Sequence, residues 1–142
     1  MRFWDTSALV PVVVDVREST AFRRVWNQDP VALVWALTET ELLSALCRRH
    51  REGLLDADDL ERAETRLHRL SQRWDEIDNL PAVREEAARI LRVHPLRAAD
   101  ALQLAAAVVA FDYRPRRRTF LSLDEALLAA ARREGFAAVR PA

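Results

Sequence analysis

"RFWDTSALVPVV", residues 2–13, is the stretch on which the reading of the chain turns. Phe3 and Trp4 suit a buried strand, whereas Ala8, Leu9 and Val10 suit a buried helix. Asp5 stands at the junction, followed by two hydroxyls, Thr6 and Ser7. A strand that ends in an acid and passes straight into a helix is a unit of α/β architecture. In open α/β sheets, ligands bind beyond the carboxyl ends of the strands.

The unit recurs along the chain. Residues 2–5 read as the first strand and 7–14 as the first helix, with Pro11 as a kink or early stop. A second helix covers 18–28, and "VALVW" (31–35) is an apolar, β-branched second strand. "LTETELLSALCRRHREG" (37–53) reads as a long helix closing at Gly53. "DADDLERAETRLHRLSQRW", from Asp56, is another helix with acids at its start. "RWDEI" (73–77) is the candidate third strand, and a helix follows Pro81 and ends near His94–Pro95. "LRAADALQLAAAVVAF" (96–111) is apolar almost all round, the mark of a buried helix. "RRRTFLSL" (116–123), "DEALLAAARREG" (124–135) and "FAAV" (136–139) read as strand, helix and short strand. Short apolar strands alternating with helices predict a mainly parallel sheet of four to five strands, covered on both faces. Asp5 and Asp124 then end two strands at the same rim.

Composition bounds what such a fold can do. The 142 residues suit a single domain, 1–142, with a proper core. The formal net charge is zero, so nucleic-acid binding must rest on local clusters of charge. All 22 basic residues other than histidine are arginine, a bias that GC-rich coding explains. The absence of lysine excludes a Walker-type phosphate lysine, a Schiff base and a Ser–Lys dyad. Two glycines, Gly53 and Gly135, exclude a glycine-rich phosphate loop. The lone Cys47 makes no internal disulfide, which fits a reducing compartment, the cytoplasm. The apolar run from Ala8 to Val14 is short and flanked by acids, a poor signal peptide. No stretch reaches the ~20 apolar residues of a membrane helix, so no membrane association is expected.

Four acids stand out as candidates for chemistry: Asp5, Glu41, Asp100 and Asp124. Each has a structural alternative. Asp5 could cap the first helix. Thr38-Glu39-Thr40-Glu41 matches a capping box, as does Ser122-Leu123-Asp124-Glu125. Asp100 could be a first-turn acid paired with Arg97 at i−3. Together they weigh differently. Asp100 sits on so apolar a helix that desolvation penalises it unless it is paired. Converging carboxylates repel one another, and a divalent cation relieves the repulsion. Mg²⁺ and Mn²⁺ favour oxygen ligands and retain water, so a few carboxylates suffice. Thr6, Ser7 and Ser122 could support the carboxylates or the metal's waters. His50, His68 and His94 fall in separate helical stretches without ligand spacing and suit helix surfaces. With one cysteine, a zinc site has no framework. Ser7 and Ser122 lack a neighbouring base, so a serine nucleophile has no support.

"FWDTSALVP", "LTETELLSALCRR", "LRAADALQLAAA" and "FLSLDEALLAAA" resemble, in order and spacing, the motifs of the PIN-domain family, and within it the VapC-type toxins of toxin–antitoxin pairs. The likeness spans nearly the whole chain. It implies a three-layer α/β/α sandwich around a parallel sheet, with an acidic site that binds Mg²⁺ or Mn²⁺ and cleaves RNA. It carries over Asp5, Glu41 (rather than Glu39), Asp100 and Asp124 as catalytic residues, with Ser122 as the hydroxyl before the last acid. Asp5 and Asp100 are then the main metal ligands, with Glu41 and Asp124 completing the shell directly or through water. Gln103 stands where histidine is frequent, and no extra acid precedes Asp124. The resemblance also implies an RNA substrate, a second copy of the chain in a homodimer, and a cognate antitoxin.

The implied activity is metal-assisted hydrolysis of RNA phosphodiesters. Candidate substrate arginines are Arg114, Arg116, Arg117 and Arg118 before strand four, Arg48, Arg49 and Arg51 on the long helix, and the row Arg62, Arg66, Arg69 and Arg73. Solvated surface and dipole complementarity are the plain readings of all three groups. Trp26, Trp35 and Leu54 serve equally as core or as an antitoxin groove. Three other readings stand beside the toxin: a PIN-type nuclease in RNA maturation, a non-catalytic binding module whose acids only cap helices, and phosphoryl transfer through Asp5. The last is weakened by Thr6-Ser7 following Asp5 in place of a second acid, and by the absence of lysine.

Overall fold

In the computed structural model, which describes all of residues 1–142, five strands form one sheet: β1 (Arg2–Trp4), β2 (Ala32–Trp35), β3 (Trp74–Ile77), β4 (Thr119–Leu121) and β5 (Ala137–Val139). Every pairing is parallel, and the order is β3-β2-β1-β4-β5. Seven helices connect them: α1 (Thr6–Val13), α2 (Ser19–Gln28), α3 (Thr38–Arg51), α4 (Ala57–Ser71), α5 (Leu80–Val93), α6 (Ala98–Ala110) and α7 (Glu125–Glu134). The expected three-layer α/β/α sandwich is the architecture found.

Strand alternation explains why the strands read as unbroken apolar runs. Phe3, Leu33, Trp35 and Phe120 point into a core completed by α5, α6 and α7. Their neighbours Trp4, Ala32, Val34 and Leu121 point into a second core completed by α1 to α4. With both faces covered, a period of two leaves no polar side. Phe3 and Phe120 lie in register on adjacent strands and stack with ring centroids 5.5 Å apart. The edge strand β3 differs: Asp75 and Glu76 are exposed, which discourages pairing with another chain's strand.

Several helix ends follow local chemistry. The left-handed Gly53 (φ 77°) closes α3, with the Leu54 N–H donating to the Arg49 carbonyl at 2.9 Å. Asp56 and Asp59 form a reciprocal capping box at the start of α4. Pro11 lies inside α1, and the helix ends two residues later at Val13. α4 stops at Ser71, short of the expected Trp74, because Trp74 pairs with Ala32 and is buried as the first residue of β3.

One expectation is corrected, and one alternative left open is decided. His94 is not a surface residue: it is 4% exposed, and its Nε2 lies 2.6 Å from Glu134. Arg89 joins the same cluster and bridges Glu86 and Glu134, tying α5 to α7. Burial alone would raise the Glu134 carboxyl, but hydrogen bonds from Arg89 and His94 hold it below the usual carboxylate range. Trp26 and Trp35 are buried, one in each core, so neither offers a groove; Leu54 is exposed.

α6 packs with its alanines at close quarters: Ala101, Ala105, Ala106 and Ala107 are all fully buried. Ala105→Leu is expected to destabilise the protein by roughly 1–3 kcal/mol through overpacking. Urea titration measures this, and an unchanged midpoint would show slack in that core.

Candidate acidic active site

The chain runs outward from β1 through β2 to β3, then crosses back to place β4 on the other side of β1. The sheet's switch point therefore lies between β1 and β4, where such folds open a crevice. Asp5 follows β1 and Asp124 follows β4. Both are N-caps with extended backbone: Asp5 accepts from the Ser7 N–H and Asp124 from the Leu127 N–H. Glu41 and Asp100 sit in the first turns of α3 and α6. All four acids line one cavity of about 670 Å³.

Each tether uses one carboxylate oxygen and spares the other. Asp5 is 4% exposed, and its Oδ2 accepts from the Ser7 hydroxyl (2.5 Å), the Ser122 hydroxyl (2.8 Å) and the Ser7 N–H (3.3 Å). Its Oδ1 receives no hydrogen bond. Glu41 Oε2 accepts from the Thr6 hydroxyl at 2.8 Å and from Gln103 Nε2 at 3.1 Å, leaving Oε1 without a protein partner. Asp124 Oδ1 accepts the capping bond at 2.8 Å, and Oδ2 has no partner. Asp100 has no hydrogen bond and no ion pair; Arg97 is too far away to bridge it.

The two suspected capping boxes do not form. Thr38 lies inside α3 and makes no cap, and Glu41 turns to Thr6 and Gln103 instead. Ser122 gives its hydroxyl to Asp5, while Asp124 caps α7. The capping role expected for Asp5 is real and coexists with the cavity.

The electrostatics are those of acids without counter-ions. Burial pushes the Asp5 carboxyl up to about 6, against the lowering effect of the Ser7 and Ser122 hydrogen bonds and with further upward pressure from Asp100 and Glu41. Burial also raises Asp100, helped by Asp124 and Glu41, and Arg97 only partly offsets this. The four acids do not close on one point: no group of three His, Cys, Asp or Glu side chains is gathered tightly enough to hold an ion as it stands. An all-oxygen set of four carboxylates, each with at least one oxygen free of protein donors, nevertheless has the ligand chemistry of a hard divalent cation site.

Arg48 is the basic side chain of the cavity wall. It takes part in no ion pair or hydrogen bond, and it lies seven residues from Glu41, on the same face of α3. That i+7 spacing is the signal by which the sequence could have singled it out from its cluster. The hollow continues past Arg48 to Arg49, Leu54 and Leu123. The other arginine groups lie elsewhere. Arg114, Arg116, Arg117 and Arg118 are exposed at the amino end of β4, away from the acidic rim. Arg62, Arg66 and Arg69 line a separate hollow on α4, with Arg66 paired to Asp15 and Arg62 to Asp59.

A cluster of half-tethered carboxylates at the switch point of an all-parallel α/β/α sheet defines a class of acidic, cation-compatible sites. Residues 2–112 match the family model of the PIN domain, and the chain belongs to that family, one of nucleases. The matched span contains Asp5, Glu41 and Asp100 and ends before β4, so Ser122 and Asp124 join the site through the fold. Among solved structures, the chain is similar to VapC20 of Mycobacterium tuberculosis, described as a sarcin–ricin loop cleaving toxin. The identity is 22%, the TM-score 0.67, and the coverage 99% of this chain and 100% of that one. At that identity the likeness speaks for the fold. No curated protein sequence matches the chain significantly.

The raised pKa of Asp5 makes a signed prediction. Its folded value lies above the unfolded one, so its contribution is present in full below about pH 4. It is lost as pH rises through about 6. Asp5→Asn keeps an acceptor for Ser7 and Ser122 but cannot ionise. In the presence of chelator it is expected to gain roughly 1–3 kcal/mol of stability at pH 7.5, and to flatten the decline between pH 4 and 6. Urea titrations across that range measure both; a loss of stability at pH 7.5 would contradict the reading.

Proposed function

We propose that this chain is a Mg²⁺- or Mn²⁺-dependent endoribonuclease, the toxin of a type II toxin–antitoxin pair, acting through Asp5, Glu41, Asp100 and Asp124. The observation that carries the reading is the half-tethered state of the acids. Protein donors hold one oxygen each of Asp5, Glu41 and Asp124, and no basic group pairs with any of the four. A purely structural cap has no need of four acids round one cavity.

Asp5 and Asp100 are the main ligands in this reading, with Glu41 and Asp124 completing the shell directly or through water. These residues would hold a divalent cation, which would supply an activated water and neutralise charge at the phosphate. The chain's own contributions are positional. Ser7 and Ser122 fix the Asp5 carboxylate, and Thr6 fixes Glu41. Arg48, unpaired at the cavity wall, meets an RNA phosphate beside the acids. The hollow past Arg48, lined in part by Leu54 and Leu123, gives a cognate antitoxin an apolar foothold next to the site it covers. A homodimer and residence in a reducing cytoplasm complete the reading; no helix of the structure is long and apolar enough to cross a membrane.

Cleavage of total RNA is expected to stop with chelator and return with Mg²⁺ or Mn²⁺. Asp100→Asn should lose more than the roughly 10–100-fold typical of a residue that only supports a ligand. Full activity in a folded Asp100→Asn protein would sink the assignment. The toxin reading has its own test: expression should arrest growth, and co-expression of a small protein encoded beside the gene should relieve the arrest. Cleavage without arrest would favour RNA maturation instead.

Arg48→Ala is expected to raise KM with little change in kcat. The log–log salt dependence of RNA binding should shrink by about 0.7, the value of one phosphate contact on a single strand. An unchanged salt slope would remove Arg48 from the substrate path.

A further inference from the structure

Gln103 is buried in α6, 1% exposed, on a helix whose only other polar residue is Asp100. Its Nε2 lies within hydrogen-bond distance of three oxygens from two other helices: Thr6 Oγ1 at 2.9 Å, Glu41 Oε2 at 3.1 Å and Thr38 Oγ1 at 3.2 Å. Thr6 in turn donates to the same Glu41 oxygen at 2.8 Å. The amide is therefore a knot between α1, α3 and α6, the three helices that carry Asp5, Glu41 and Asp100 at or near their starts. Its other atom tells a different story. Gln103 Oε1 is buried with no hydrogen-bond partner. A buried carbonyl without a donor is destabilising, and a side chain kept only for packing would not carry one.

From this asymmetry we infer that Gln103 is a positioning residue, one that orients Glu41 so that its free oxygen is presented to a divalent cation. Nε2 and the Thr6 hydroxyl both engage Oε2, and no protein group competes for Oε1. A glutamate has three side-chain torsions, and two donors on one oxygen select one carboxylate orientation. The inference rests on the proposed metal-dependent function and adds a residue that touches neither cation nor substrate. It also separates function from stability: the donor serves the site, while the orphaned acceptor weakens the fold.

The test is Gln103→Met, close in length and shape but unable to donate. Mn²⁺ binding, followed by titration calorimetry, is expected to weaken by about 10-fold, within the range for outer-shell partners of a ligand, while the melting temperature of the metal-free protein stays near wild type. Gln103→His restores an N–H of similar reach and is expected to recover most of the affinity. In Gln103→Met the kcat for RNA cleavage should fall more than KM rises. Wild-type Mn²⁺ affinity in Gln103→Met would overturn the inference alone. So would a failure of Gln103→His to bind better than Gln103→Met, which covers the case in which the methionine variant folds poorly. Absence of Mn²⁺ binding by the wild-type protein would overturn the proposed function, and this inference with it.

Discussion

A carboxylate buried at the end of the central strand, without a counter-ion, sets the terms for the rest of this molecule. Asp5 follows β1, which has neighbours on both sides and cores on both faces. Left alone, such a group is strongly penalised by desolvation. The chain answers with two hydroxyls, Ser7 from the first turn of α1 and Ser122 from the end of β4. Those hydroxyls are themselves fixed, since Ser7 Oγ accepts the Leu123 N–H and Ser122 Oγ accepts the Asp124 N–H. The hydroxyls that solvate Asp5 thus also tie down the β4–α7 junction, and with it the backbone of Asp124. Two acids far apart in sequence are placed by one local problem.

Thr6 and Ser7 divide the work between the halves of the site. Ser7 faces Asp5, and Thr6 reaches across to Glu41 on α3. Hydrogen bonding stops halfway in each case, at one oxygen, and Asp100 receives none. The compensation is enough for folding and insufficient for charge: burial still holds Asp5 and Asp100 above their ordinary values. A protein in this condition is stabilised by whatever neutralises the cavity, because a ligand that binds only the folded form adds to its stability. On the proposed function, binding and folding are coupled through the same few oxygens.

Much of this was legible in the sequence because it is local. Short, unalternating apolar runs between helices announced the parallel sheet, the polar edge strand β3 excepted, and Asp5 and Asp124 could be placed at its rim from their position after strands. Gly53, Asp56 and Pro81 mark helix ends by backbone chemistry that acts within a turn. What was hidden depends on partners distant in the chain. Thr38 and Glu41 match a capping box letter for letter, yet Glu41 finds better donors in Thr6 and Gln103, 35 and 62 residues away. His94 reads as a helix-end residue until Glu134, 40 residues on, claims it. Gln103 looked like a simple departure from a family pattern, and its three oxygen partners exist only once α1, α3 and α6 are packed together.

The distribution of charge constrains the order of events at the site. The chain is neutral overall, so no long-range field draws in a polyanion. The cavity concentrates four acids against the single guanidinium of Arg48, while the larger arginine groups on the β4 approach and on α4 lie elsewhere. A phosphate approaching that cavity meets repulsion, strengthened by the lower dielectric around the buried Asp5 and the half-buried Glu41 and Asp100. A divalent cation held by these carboxylates, as proposed, would reverse the sign of that interaction. On the proposed reading, cation and RNA therefore bind with positive coupling, each improving the other's affinity by the same factor. Arg48 alone gives the substrate too little to hold on the acids' own terms. On that same reading, the uncompensated acids would also be the condition for substrate entry, which is a physical reason for leaving them half tethered.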